Sequence, residues 1–155
     1  MNARARYKLA YMLAIWFGCG RFPLMPGTAG TLGAIPLYLL LVRGGPFAVL
    51  AGAVVVTLVG VWAANQVVRA TGLKDPQIVV IDEVAGVLIT LAAAPNNWKG
   101  LLAGVVLFRI FDQFKPFPAR RAEGWREGWG VVMDDVFAGL WGVLVLLVAR
   151  KMGWL

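Results

Sequence analysis

The chain has no histidine and a single cysteine, Cys19, in 155 residues. The absence of histidine removes the commonest general base and the commonest ligand of transition metals. One cysteine excludes an intramolecular disulfide and a metal site built from several thiolates. Charge is scarce as well, because 15% of the residues are charged and only eight are acidic. Acid–base or metal chemistry in this chain therefore depends on a few carboxylates.

Apolar residues make up 60% of the chain, and its mean hydropathy is +0.75. A soluble domain is nearer half apolar, with about a quarter of its residues charged. The composition therefore predicts a membrane protein, and the 19 glycines fit closely packed membrane helices. The net charge of +7 comes from basic residues scattered between apolar runs, without an aromatic-rich basic helix. We therefore expect bilayer lipids and no nucleic acid as partners.

Apolar runs of the sequence predict where the chain crosses the membrane. The clearest span is residues 47–68, and the shorter run 7–17 predicts an N-terminal helix lying in the interface. The other apolar runs are short: 32–42 (kinked at Pro36), 78–94, 100–111 and 136–149. Their helices therefore extend into the flanking loops, or some of the runs form re-entrant hairpins. We predict an all-α, polytopic integral membrane protein with about five transmembrane helices in a single domain, residues 1–155.

The distribution of basic residues predicts the orientation. With a cytoplasmic N-terminus and five crossings, eleven of the 15 lysines and arginines fall on the cytoplasmic side, as the positive-inside rule requires. The eight acidic residues do not enter that count, yet all of them fall on the same side. The sequence thus predicts one compact site at the cytoplasmic face.

Two stretches of the chain repeat one pattern, residues 79–84 (VVIDEV) and 131–136 (VVMDDV). Each has three apolar residues, two adjacent carboxylates and a valine, with an Ala-Gly pair soon after. Carboxylates are costly in apolar surroundings, so we predict that Mg²⁺ compensates them. Helix capping, worth about 0.3–1 kcal/mol, is the simpler alternative for one carboxylate but not for two pairs. With Asp112 as a fifth ligand, the predicted set for one or two ions is Asp82, Glu83, Asp112, Asp134 and Asp135.

The segment around Asp112 adds two cations at helical spacing. Arg109, Asp112 and Lys115 are three residues apart, which places them on one broad helix face. A metal ligand between two cations suits a phosphate monoester, because the cations hold its oxygens. A snorkelling ion pair is the equally weighted alternative. Arg120 and Arg121 follow in a loop, where contact with a lipid phosphate is one interpretation, but we favour a solvated basic loop at an anionic surface.

A glycine-rich loop is the third candidate element, with the sequence Pro26-Gly27-Thr28-Ala29-Gly30-Thr31. Glycines allow backbone N–H groups to converge on an anion, and the hydroxyls of Thr28 and Thr31 add donors. The alternative is a turn with a small-residue packing face. We predict that Thr28, Gly30, Thr31, Arg109 and Lys115 bind substrate.

Known phosphoryl-transfer signatures are missing. A phosphohistidine intermediate needs histidine, Cys19 has no arginine six residues later, and no Asp-x-Asp occurs. The remaining chemistry is an activated water with a carboxylate base, or an aspartate nucleophile in a new setting.

Four segments, in order, resemble the phosphatidylglycerophosphatase A family over roughly residues 18–142. They are residues 26–31 (PGTAGT), 81–86 (IDEVAG), 108–118 (FRIFDQFKPFP) and 133–139 (MDDVFAG). The resemblance implies a bacterial inner-membrane, Mg²⁺-dependent enzyme that hydrolyses phosphatidylglycerophosphate to phosphatidylglycerol and phosphate. It also implies that the five carboxylates are catalytic, with Arg109 and Lys115 in their site.

The chain departs from the family pattern at Trp129, which separates two glycines, and at Glu123, where relatives commonly have an aspartate. We leave Glu123 and Glu127 outside the predicted site. Two alternatives stay open: another Mg²⁺-dependent lipid enzyme, such as a CDP-alcohol phosphotransferase, and a small ion carrier with intramembrane carboxylates.

Overall fold

The computed structural model describes residues 2–154, and every regular element in that range is a helix. This confirms the all-α prediction. Two short 3₁₀ turns, Trp16–Arg21 and Val42–Gly44, join some of the helices. The eight α-helices are α1 (Ala3–Ala14), α2 (Pro26–Gly33), α3 (Ile35–Leu41), α4 (Pro46–Thr71), α5 (Ile81–Ala92), α6 (Trp98–Phe114), α7 (Ala119–Ala122) and α8 (Gly128–Lys151).

Two helices of the described chain, α4 with 26 residues and α8 with 24, are long and apolar enough to cross a membrane. At 1.5 Å per residue each exceeds the roughly 30 Å hydrocarbon core. The 12 residues of α5 and the 17 of α6 reach only about 18 and 26 Å. The predicted count of about five complete spans is therefore not confirmed.

The N-terminal third differs from its sequence-based prediction in two places. Residues 32–42 do not form one kinked span, because the helix breaks at Ala34 and Pro36 lies in the first turn of α3. Residues 26–31, predicted as a loop, form most of α2, since Pro26 occupies the first helical turn, where its missing N–H costs nothing. The predicted N-terminal helix exists as α1, and it packs against α4 with Ala10 and Ala14 fully buried.

The core is built around α5, which is buried along almost its whole length between α4, α6 and α8. Glycines allow the closest approach of α5 to α8. A Cβ on Gly86 would lie 2.6 Å from the Asp135 carbonyl oxygen, and one on Gly139 would lie 2.5 Å from the Gly86 carbonyl oxygen. The Thr90 hydroxyl also donates to the Gly139 carbonyl at 3.1 Å. The Ala-Gly pairs of the repeated motif are thus the crossing point of the two helices.

The helix directions bring the acidic segments to one end of the bundle. Asp82 lies in the first turn of α5, Asp134 lies near the start of α8, and Asp112 lies near the end of α6. Two hydrogen bonds fix that end: the Val80 N–H donates to the Ala14 carbonyl at 2.9 Å, and the Gly128 N–H donates to Asn65 Oδ1 at 2.7 Å. The carboxylates therefore face a common space.

Candidate active site

A cavity of about 390 Å³ lies at this end of the bundle. The structure brings to it eight of the ten residues predicted to form the site; the other two are Gly30 and Thr31. The space is therefore one site assembled from α2, α5, α6 and α8. The eight are Thr28, Asp82, Glu83, Arg109, Asp112, Lys115, Asp134 and Asp135.

Three carboxylates form the centre of the site. Asp82, Glu83 and Asp135 each offer an oxygen, and these oxygens all lie within 4.8 Å of one another. Asp82 and Asp135 are 8% and 4% exposed, and Glu83 Oε2 is buried with no hydrogen-bond partner among the described residues. The Glu83 N–H donates to Asp82 Oδ1 at 3.0 Å, which holds the Asp82 side chain at the helix start. We call these three residues the carboxylate triad.

Arg109 and Asp112 occupy one face of α6, as their spacing predicts. Arg109 Nη1 lies 2.7 Å from Asp112 Oδ2, and both side chains are largely buried. The Gln113 amide donates to the same Asp112 oxygen at 3.1 Å. Asp112 is therefore already paired with a cation, whereas the carboxylate triad makes no salt bridge within residues 2–154.

Lys115 does not share that helix face. It ends α6 in the left-handed conformation, with φ of 45°, and this turns its side chain away from Asp112. Its ammonium instead donates to Asp134 Oδ2 at 2.7 Å and to Glu123 Oε1 at 2.5 Å. Burial by itself lowers the pKa of Lys115, but the hydrogen bonds to Asp134 and Glu123 outweigh it and raise that pKa. Lys115 is thus a fixed cation with one of its three donors still available.

The start of α2 forms a wall of the cavity next to Glu83. Thr28 and Gly27 line the cavity, and a Cβ on Gly27 would lie 2.2 Å from Glu83 Oε1. A side chain at position 27 would displace the Glu83 carboxylate, so glycine lets α2 approach the triad without moving it. Gly30 and Thr31 were predicted to bind substrate, but they lie one turn further along the helix. Gly30 packs against Val80, and the Thr31 hydroxyl donates to the Gly27 carbonyl at 3.0 Å.

Several residues line the cavity, or bond to residues that line it, but were not predicted from the sequence. Glu123 lies outside the predicted site, yet its Oε1 accepts a hydrogen bond from the Lys115 ammonium. Asp75 and Gln77 reach the cavity from the loop before α5, where no motif marks them. Gln113 also lines the cavity, and its position directly after Asp112 is the one signal in the sequence for its hydrogen bond to that carboxylate. Gly27 was named only as part of a loop, because its contact with Glu83 depends on the helix packing.

The donor set fits a divalent cation. Octahedral oxygen ligands at about 2.1 Å from Mg²⁺ lie roughly 3–4.2 Å apart, which the spacing of the triad permits. Among residues 2–154, the five predicted carboxylates share the cavity with two cations, Arg109 and Lys115. The excess of negative charge, together with the unpartnered Glu83 oxygen, is what a divalent ion would neutralise. The triad matches this role better than Asp112 or Asp134, which are already ion-paired.

Comparison with known proteins identifies the family of the chain. The family model described as Phosphatidylglycerophosphatase A matches residues 12–150. The chain belongs to the phosphatidylglycerophosphatase A family. This confirms the family predicted from the four motifs and, with it, that the chain is a phosphatase.

Three relatives show how far the similarity extends. Phosphatidylglycerophosphatase A of Escherichia coli is 37% identical over 144 residues, covering 89% of this chain and 83% of the relative. The Haemophilus influenzae protein of the same name is 37% identical over 143 residues, covering 90% and 88%. A Bacteroides thetaiotaomicron protein named "Putative phosphatidylinositol-3-phosphatase" is 43% identical over 155 residues, covering 92% and 94%. No solved structure matches the chain.

Proposed function

We propose that the protein hydrolyses phosphatidylglycerophosphate to phosphatidylglycerol and inorganic phosphate, and that it requires Mg²⁺. The observation that carries the proposal is the single cavity that joins the carboxylate triad to Arg109, Lys115 and the start of α2. Family membership, and two relatives named for this activity, support it. A phosphate monoester is the ligand that this combination of oxygen ligands and cations fits best.

Each group of residues has a distinct role in the proposed reaction. Bound Mg²⁺ would supply Lewis-acid polarisation of the phosphoryl group, and the triad would hold the ion. Arg109, held by Asp112, donates to phosphate oxygens, and the free N–H groups in the first turn of α2 add further donors. A carboxylate oxygen in the cavity that the ion leaves free accepts the proton of the attacking water. Lys115 neutralises the charge that develops on the leaving glycerol oxygen, which bears the negative charge as the P–O bond breaks.

We further propose that the enzyme lies in the bacterial inner membrane with its site at the cytoplasmic face. The two long apolar helices support association with a membrane, and the eleven lysines and arginines that the predicted topology assigns to the cytoplasmic side support the orientation. The lipid tails then stay in the bilayer while the headgroup reaches the cavity. The short helix α5 is compatible with a site near the interface, because Asp82 and Glu83 lie in its first turn.

The test is phosphate release by the purified protein in detergent, with and without EDTA. We expect Mg²⁺-dependent release from phosphatidylglycerophosphate and its loss in EDTA, with recovery when Mg²⁺ is added back. Activity that persists unchanged in EDTA would reject the metal role. A substrate panel with phosphatidic acid and phosphatidylinositol 3-phosphate tests the headgroup, because one relative is named for the latter. Faster turnover of phosphatidylinositol 3-phosphate would reject the proposed substrate.

The two alternatives from the sequence make different predictions. A CDP-alcohol phosphotransferase would consume a CDP-linked lipid and release CMP, and family membership argues against it. An ion carrier would have carboxylates along a path across the bundle. The described residues instead place the five carboxylates around one cavity at one end. Ion flux in proteoliposomes without phosphatase activity would favour the carrier.

A further inference from the structure

A second cavity of about 380 Å³ adjoins the active site on its outer side. Lys115 lines both cavities, so they border one another at that residue. We call the second cavity the outer groove. It is formed where α6 ends and the chain turns into α7, and its lining residues are Phe114, Lys115, Pro116, Phe117, Arg120 and Arg121.

The outer groove is held in place by α8. The carbonyl of Phe117 accepts a hydrogen bond from Trp141 Nε1 at 3.0 Å, and the Trp141 ring packs against Phe111 with 6.1 Å between ring centroids. Pro116 and Pro118 restrict the backbone on both sides of Phe117. The segment therefore has a defined path over the helix bundle.

The side chains of the outer groove combine apolar and cationic groups at the surface. Phe114 and Phe117 are 73% and 66% exposed, although both rings are large and apolar. The Arg121 guanidinium lies 5.0 Å from the centroid of the Phe117 ring, and Arg120 is exposed beside it. Neither arginine makes a salt bridge within residues 2–154. A ligand that complements this surface carries an anionic group next to an apolar one.

The proposed substrate has that chemistry. Phosphatidylglycerophosphate carries a phosphodiester one glycerol away from its terminal phosphate, and acyl chains follow the diester. A terminal phosphate beside Lys115 in the active-site cavity leaves the diester to lie in the adjoining groove. Arginine is well suited to bind its oxygens, and the exposed phenylalanines are suited to the interface, where the acyl chains begin.

We propose that the outer groove binds the phosphodiester of the lipid substrate through Arg120 and Arg121, with Phe114 and Phe117 against the adjoining glycerol and acyl carbons. This inference rests on the proposed function. It selects contact with a lipid phosphate over the solvated basic loop that the sequence alone favours. It also gives the enzyme a means of distinguishing a lipid with a diester, such as phosphatidylglycerophosphate, from a simple phosphate monoester.

The experiment uses the purified full chain in micelles of a non-ionic detergent, with phosphatidylglycerophosphate as the only anionic lipid. We expect Arg120→Gln/Arg121→Gln to raise KM, expressed as a mole fraction of lipid, by about tenfold while kcat changes by less than about twofold. Phosphatidylglycerol carries the diester but no monoester. We expect it to inhibit the wild type competitively and its Ki to rise with KM in the double variant. Phe117→Ala should raise KM in the same direction, because it removes the ring beneath Arg121.

Arg4→Gln/Arg6→Gln is the matched control, because it removes two exposed positive charges from α1, away from the groove. We expect its KM to stay at the wild-type value. The inference would be overturned if the groove variant had the same KM as the wild type, or if KM rose equally in the control. It would also be overturned if phosphatidylglycerol did not inhibit the enzyme. A rise that appears only in anionic vesicles would assign the arginines to bulk lipid and overturn it as well. A wild type that releases no phosphate from this lipid would instead reject the proposed function itself.

Discussion

The two carboxylate pairs are nearly identical in sequence but differ in what surrounds them. On α5, Asp82 and Glu83 both belong to the carboxylate triad. On α8 the pair is divided, since Asp135 joins the triad while Asp134 bonds Lys115 at 2.7 Å. The similarity of the two motifs therefore does not extend to their roles.

The difference follows from where each helix lies. α5 is the central helix, and at its first turn both Asp82 and Glu83 lie within 4.8 Å of a carboxylate oxygen of Asp135 and line the same cavity as Asp112. α8 also borders the turn after α6, which supplies Lys115. We infer from this comparison that three carboxylates hold the ion and that Asp134 positions a cation for the substrate. The following predictions test that division.

The largest effect is expected in the carboxylate triad. Asp82→Asn and Asp135→Asn should each lower kcat/KM by about 100- to 1,000-fold, because a neutral amide is a poor ligand for Mg²⁺. The measurement is phosphate release over a range of Mg²⁺ concentrations. Glu127→Gln is the control, since Glu127 pairs with Arg69 at an exposed position outside the triad. Near-normal turnover in either triad variant would reject the assignment.

A smaller effect is expected for the Asp134–Lys115 pair. Asp134→Asn and Lys115→Met should lower kcat/KM by about 10- to 100-fold, because each leaves the substrate-facing cation absent or misplaced. The Mg²⁺ concentration for half-maximal activity should change little, which separates these variants from those of the triad. If Asp134→Asn weakens activation by Mg²⁺ as much as Asp82→Asn does, the two pairs are equivalent and the proposed division is wrong.

The crossing of α5 and α8 should be sensitive to small added volume. Gly139→Ala places a methyl group against the Gly86 carbonyl, and overpacking of this kind costs about 2 kcal/mol. Gly60→Ala on α4 is the control, because its Cβ would lie 3.4 Å from the nearest atom, an ordinary contact. The measurement is the apparent unfolding temperature in detergent at one scan rate. Equal temperatures for the two variants would contradict the close approach at Gly139.

The smallest effect is expected at Glu123. Its side chain is 43% exposed, so Glu123→Gln should lower kcat/KM only about two- to fivefold by loosening Lys115. Glu123→Asp should restore part of the loss. The measurement is the same phosphate-release assay at saturating Mg²⁺. An increase in activity would mean that Glu123 competes with the substrate for Lys115 instead of holding it.

Much of this arrangement follows from local sequence. The scarcity of acidic residues and their repeated setting identify Asp82 and Asp135, and the spacing of three residues pairs Arg109 with Asp112. The division of the α8 pair is not predictable in this way. It depends on Lys115 adopting a left-handed conformation at the end of α6, a tertiary feature that helical periodicity does not report. The positions of Gly30 and Thr31 were not predictable either. The sequence predicts a loop at residues 26–31, whereas the structure has a helix there, and the helix turns these two residues away from the cavity that Thr28 lines.

The most direct test of the central claim is Mn²⁺ binding to the purified protein, followed by electron paramagnetic resonance, with Mn²⁺ in place of Mg²⁺. We expect the wild type and Glu127→Gln to bind Mn²⁺ and to release it when Mg²⁺ is added in excess. Asp82→Asn and Asp135→Asn should bind it at least tenfold more weakly, in line with the effect of losing a ligand contact. Equal binding by the wild type and both triad variants, or no binding by the wild type, would contradict an ion held between α5 and α8.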